Sequence, residues 1–144
     1  MRHDLVTSRS VEVNANASKV WEALTNPAII KEYLHGTETT TDWKVGSEIR
    51  FHGQWEGTNY CDKGWIVENV TNRLLTYRYW SGFSGLEDKV ENYNLVIYNI
   101  AAISDSRSIF TWTQIGFATE AGYNHTSSGM EAFLNTIKQI IERL

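Results

Sequence analysis

The chain has 144 residues, a length that suits one domain burying about two-thirds of its unfolded surface. Thirteen Lys and Arg against seventeen Asp and Glu give a net charge of −4, and the cations are scattered singly. Phosphate neutralisation needs a basic stripe, so this balance argues against nucleic-acid binding.

Cys61 stands alone, which excludes an intramolecular disulfide and a thiolate-rich zinc site. The start, MRHDLVTSRS, has no apolar secretory core, and no run approaches the ~18 apolar residues that span a bilayer. Together these predict a cytoplasmic protein without membrane contact. Six Trp, seven Tyr and five Phe are a large aromatic share, and such rings suit either an irregular core or a ligand pocket.

Residues 5–13 hold Val6, Val11 and Val13 and read as a first strand. Asn16 is placed to cap a short helix, its side-chain oxygen accepting from free first-turn amides. Val20, Trp21 and Leu24 give that helix one apolar face. Asn26-Pro27 ends it, and Pro27 opens a second short helix to residue 34. Ile49, Phe51, Gly53 and Trp55 then alternate with Glu48, Arg50, His52 and Gln54, the period of a strand. Glu56-Gly57 reads as a turn and residues 58–70 as the returning strand; 74–80, 91–103 and 108–116 follow as strands, with a Gly/Ser loop over 81–88. Finally Met130, Phe133, Leu134, Ile137, Ile140, Ile141 and Leu144 recur at helical spacing, predicting a long amphipathic helix of about four turns.

No repeat or linker interrupts the chain, so one domain covers residues 1–144. A sheet with one apolar face needs a cover, and a helix with one apolar stripe needs a surface. The fold class is α+β: a curved antiparallel sheet of about six to seven strands, two short helices after strand 1, and a long C-terminal helix across the concave face.

Several stretches resemble a known family. KVWEALTNP (19–27) resembles the early helix of the START-like (SRPBCC), helix-grip proteins, particularly the branch named after the C-terminal domain of the Hsp90 ATPase activator Aha1. WKVGSEIRF (43–51), GWIVE (64–68), RLLTYRYW (73–80) and FTWTQIGF (110–117) are similar to the branch's later strands, in order and spacing. The likeness covers about residues 9–144. Two positions depart from it: no proline marks the turn at residues 69–72, and Met130 stands where a tryptophan is usual. The resemblance implies a cavity between sheet and long helix, which across the family holds apolar or aromatic small molecules or lipids. It also implies that some members are enzymes, and that the branch in eukaryotes stimulates a chaperone ATPase.

Catalytic chemistry is hard to find. His3 falls in a terminus expected to fray, His52 alternates outward, and His35 follows a helix as a capping residue. His125 precedes the predicted long helix and could overhang a cavity mouth. No HExxH, Cys pair, calcium-type loop, GxGxxG, phosphate loop or G-x-S-x-G occurs, so neither a metal nor a cofactor is expected. Glu87 and Asp88 are adjacent and point apart; Asp62 and Glu68 lie in a strand and could face inward.

The aromatics are the stronger signal. Alternation places Phe51, Trp55, Phe110 and Trp112 inward, joined by Tyr77, Tyr79 and Tyr93 with Leu95 and Ile97, and by Met130, Phe133 and Ile137 from the helix. Gln114 and Tyr123 are expected near the rim as polar, orienting groups. The ligand-contact set is therefore Phe51, Trp55, Tyr77, Tyr79, Tyr93, Phe110, Trp112, Gln114, Tyr123, Met130 and Phe133. A core filled by the same rings is the competing picture. Three functions stay open: binding of an apolar, aromatic or lipid-like molecule, an enzyme of cyclase or hydrolase type in the same cavity, and a chaperone-contacting domain. The protein would act as a monomer or a homodimer.

Overall fold

The computed structural model describes residues 1–144, and its sheet and helices follow from local signals in the chain. β1 (Arg2–Val13) starts earlier than predicted because β7 (Arg107–Phe117) pairs with it out to Arg2, and His3 Nε2 meets the Glu91 carbonyl at 2.9 Å. The N-terminus is thus tied down instead of frayed. Asn16 caps α1 (Ala17–Thr25) by accepting from the Lys19 amide at 3.0 Å. Asn26 closes α1 and caps α2 (Pro27–Tyr33), accepting from the Ala28 amide. β2 (Glu38–Thr40) is an edge strand that the sequence hides, since Glu-Thr-Thr offers no apolar residue.

β3 (Glu48–Trp55) and β4 (Thr58–Val70) form a hairpin through Glu56 and Gly57, both at positive φ (48° and 80°), as a two-residue turn matching strand twist requires. β5 (Leu74–Trp80) and β6 (Asn94–Ser104) follow, separated by two single 3₁₀ turns at Gly82–Ser84 and Val90–Asn92. The result is one seven-stranded antiparallel sheet in the order β1-β7-β6-β5-β4-β3-β2, a meander whose two ends are β1 and β2. Gly64 is obligatory within it, because a Cβ there would run into the Arg78 carbonyl of β5.

α3 (Glu120–Glu142) begins ten residues before the apolar stripe that announces it. Residues 120–129 are largely exposed and carry no stripe, so periodicity cannot report them; the signal is Thr119, whose hydroxyl accepts from the Gly122 amide at 3.0 Å. From Met130 on, the helix buries Met130, Leu134, Ile137, Ile140 and Ile141. It lies mainly along β1 and is fastened to residues 7–14 from Ser127 to Glu142. Ser127 donates to Thr7 Oγ1 (2.9 Å), Arg9 pairs with Glu131 (3.1 Å), Lys138 donates to the Glu12 carbonyl (2.8 Å), and the Asn14 amide donates to Glu142 (2.8 Å).

The inner face has two apolar clusters. Thirteen buried residues, among them Val13, Val20, Leu24, Phe110, Leu134, Ile137 and Ile141, join β1, β6 and β7 to all three helices. Six more, Ile49, Phe51, Ile66, Leu75, Tyr77 and Val96, line the β3–β6 end. Burial of each such side chain stabilises by about 1.5–3 kcal/mol, so the larger cluster dominates the cohesion of helix and sheet. No helix is long and apolar enough to cross a membrane.

Candidate functional site

A cavity of about 680 Å³ opens over the β3–β6 end of the inner face, where α3 contributes only Phe133. Twelve of its sixteen lining residues are hydrophobic. Its floor is Phe51, Tyr77, Tyr79, Val96 and Tyr98 from β3, β5 and β6. One wall is Trp112 and Gln114 of β7 with Phe133 of α3, where Phe133 packs on Trp112 with ring centroids 5.1 Å apart. The opposite wall is Tyr60 and Asp62 of β4, and the α2–β2 corner adds Tyr33, Leu34, His35 and Thr37. Trp55 and Phe83 stand at the mouth, 62% and 60% exposed.

Five tyrosines face this space, and their hydroxyls are organised. Tyr33 donates to the Ala23 carbonyl (3.0 Å). Thr37 spends its hydrogen on the Leu34 carbonyl (2.8 Å), so Tyr60 is the donor in their 2.6 Å contact. Tyr77 and Tyr98 share one hydrogen bond at 3.2 Å, which leaves one phenolic hydrogen free. Tyr79 donates to Asp62 Oδ2. Burial is the first cause that holds Tyr33, Tyr77 and Tyr79 well above the ordinary phenol range, and it raises Tyr98 as well; the Asp62 charge adds to the effect at Tyr79. All four stay protonated and remain donors.

Two polar atoms in the lining lack any partner: Asp62 Oδ1 and Trp112 Nε1. An orphaned buried group costs roughly 1–3 kcal/mol. Gln114 is half-buried in the wall, with Nε2 donating to the Gly116 carbonyl at 3.3 Å. No cluster of three or more His, Cys, Asp or Glu is placed to hold a metal ion.

Of the residues expected to meet a ligand, Phe51, Trp55, Tyr77, Tyr79, Trp112, Gln114 and Phe133 line the cavity. The other four do not. Phe110 is fully buried in the larger cluster, packed on Tyr98. Met130 is buried beside Thr7 under α3, and Tyr123 packs edge-on against Phe117. Tyr93 lies on the outer face between Trp65 and Trp80, with its hydroxyl donating to Asp88.

Tyr93 errs with Leu95 and Ile97 through a one-residue slip. β6 is apolar on both faces, and its inward set is Asn94, Val96, Tyr98 and Ile100, as the pairings Tyr77↔Val96 and Tyr79↔Asn94 require. The buried Asn94 in the inward row disguises the register. His125 is exposed within α3, away from the cavity; His52 points outward as expected, and His35 takes positive φ (53°) just past α2 at the cavity mouth. Asp62 faces inward and Glu68 is exposed, a β-bulge between Ile66 and Glu68 separating their registers.

With this geometry in view, a family model matches: activator of Hsp90 ATPase homolog 1-like protein, over residues 14–142. The chain belongs to that family. A solution structure of a protein from Cytophaga hutchinsonii is 36% identical, with TM-score 0.82 over 96% of this chain and 94% of that one. An HSP90 activator from Plasmodium falciparum (13% identity, TM-score 0.74, 95% and 96% covered) and the Aha1 dimer from Colwellia psychrerythraea (14%, 0.72, 95% and 96%) share the fold. No curated protein matches the chain.

Proposed function

We propose that this family member binds an apolar or aromatic small molecule, lipid-like compounds included, in the cavity over β3–β6. The observation that carries the reading is unfilled space of about 680 Å³ on a face of aromatic side chains, within the ~300–1,000 Å³ range of ligand sites. A few fixed polar groups among apolar walls suit orientation of such a molecule. Native mass spectrometry after gentle purification should show a bound compound, and soaking with apolar aromatics should raise Tm. A protein that is empty by mass and unmoved by every soak overturns the reading.

Contact with a chaperone of the Hsp90 type is a second reading, favoured by the family match and by Trp55 and Phe83, two large exposed rings at the mouth. Under it, immobilised protein retains purified Hsp90 and changes its ATPase rate. Neither effect in a clean assay removes it.

A further inference from the structure

One carboxylate stands inside the cavity, and half of it is unused. Asp62 on β4 is 7% exposed; its Oδ2 accepts from Tyr79, while Oδ1 is buried without a partner. A carboxylate offers about four acceptor positions, and a buried charge is costly unless it is paired and hydrogen-bonded. The chain supplies no cation to it. Lys63, the next residue, points to the outer face and pairs with Asp88, and Arg50 pairs with Glu48. Asp62 is the one acid among the lining residues, and His35, at the mouth, the one base. Tyr79 is fixed as a donor because burial, then the Asp62 charge, keeps its hydroxyl protonated. It therefore occupies Oδ2 and leaves Oδ1 as a buried acceptor without a partner.

We propose that Asp62 anchors the cationic end of the occupant: the cavity takes an apolar or aromatic monoamine, its ammonium donating to the carboxylate once a turn of the side chain brings Oδ1 to the cavity, and its body lying against Phe51, Tyr77 and Val96. The assignment rests on the small-molecule reading above. An ammonium suits the position better than a hydroxyl, because it supplies the missing charge together with the missing donor, and charge-assisted hydrogen bonds are roughly twice as strong as neutral ones. The rings of Phe51 and Tyr79, 5.7 Å apart between centroids, give a cation further favourable surface. A carboxylate ligand would meet like charge at the same point.

The test uses three probes with one indole body: tryptamine, tryptophol and indole-3-propionate, titrated calorimetrically into wild type and Asp62→Asn. Tryptamine should bind at least ~10-fold tighter than tryptophol to wild type, with indole-3-propionate weakest. In Asp62→Asn the advantage of the amine should disappear, tryptamine losing more affinity than tryptophol. Equal affinities, a preference for the acid, or an amine preference that survives in Asp62→Asn overturns the proposal. The wild-type ranking decides even if the variant fails to fold. N-phenyl-1-naphthylamine, a neutral fluorescent probe, separates the two levels. If it binds and no indole does, small-molecule binding stands and the amine anchor fails; if nothing binds, both fail.

Discussion

The two ends of the inner face are built on the same meander and finished in opposite ways. Beneath α3, Val13, Val20, Leu134, Ile137 and Ile141 are each at most 1% exposed and interdigitate with Phe110. Toward β3 and β4 the inward row is Phe51, Tyr77, Tyr79 and Asp62, and the space above them is open. Branched aliphatics have no polar tip to satisfy and can close a layer at crystal-like density. Tyrosines keep hydroxyls that need partners, which holds the rings at set angles and leaves volume between them. The contrast separates what holds the fold together from what is free to meet a ligand.

The most disruptive way to break this contrast is through the backbone beneath the open end. Gly64→Ala should cost more than ~3 kcal/mol or prevent folding, since no side-chain movement relieves contact with the Arg78 carbonyl; urea denaturation and expression yield would show it. High pH comes next. Tyr33, Tyr77, Tyr79 and Tyr98 are raised above their ordinary value of 10.0, so their contribution is complete below pH 10 and is lost as pH rises through the raised folded values. Stability should fall by roughly 1.4 kcal/mol per pH unit for each such phenol above pH ~10, with phenolate absorbance appearing together with unfolding. More than three phenolates among the seven tyrosines of a still-folded protein would refute their burial.

Truncations compare the ends directly. Ile137→Ala should cost about 2–5 kcal/mol, as it opens a void in a closed layer. Phe51→Ala, beside a space already present, should cost less, about 1–2 kcal/mol, although it removes more atoms. Equal or reversed costs in urea melts would mean that the open end is packed as tightly as the other. The smallest effect is expected at Asp62. Without ligand, Asp62→Asn should be neutral or raise stability by up to ~1 kcal/mol, because it removes a charge with an unpaired oxygen. A loss of several kcal/mol would show that the carboxylate serves the fold.

Most of the fold could be read before the structure. Residues 58–70 and 74–80 come out with the predicted limits, and the caps at Asn16 and Asn26 act as their side chains dictate. β2 and the first ten residues of α3 escape because both are polar and exposed, held by pairing and a threonine cap. The site was legible where one face of a strand is polar, as in β3, and illegible where both are apolar, as in β6. Tyr33, Leu34, His35 and Thr37 reach the cavity from a corner that no strand period describes. Asp62 was visible as a residue that could face inward, but its lack of a partner is a property of three-dimensional neighbours.

The fastening of α3 to β1 has a kinetic consequence. Its contacts run from Ser127 to Glu142, so lifting this helix would break hydrogen bonds and ion pairs along about four turns and expose the larger cluster at once. Traffic between the cavity and solvent is cheaper past Trp55, Phe83 and His35, where the single 3₁₀ turn at Gly82–Ser84 faces the α2–β2 corner. A molecule bound there would leave without α3 being lifted, so its residence time would be uncoupled from the opening of the domain.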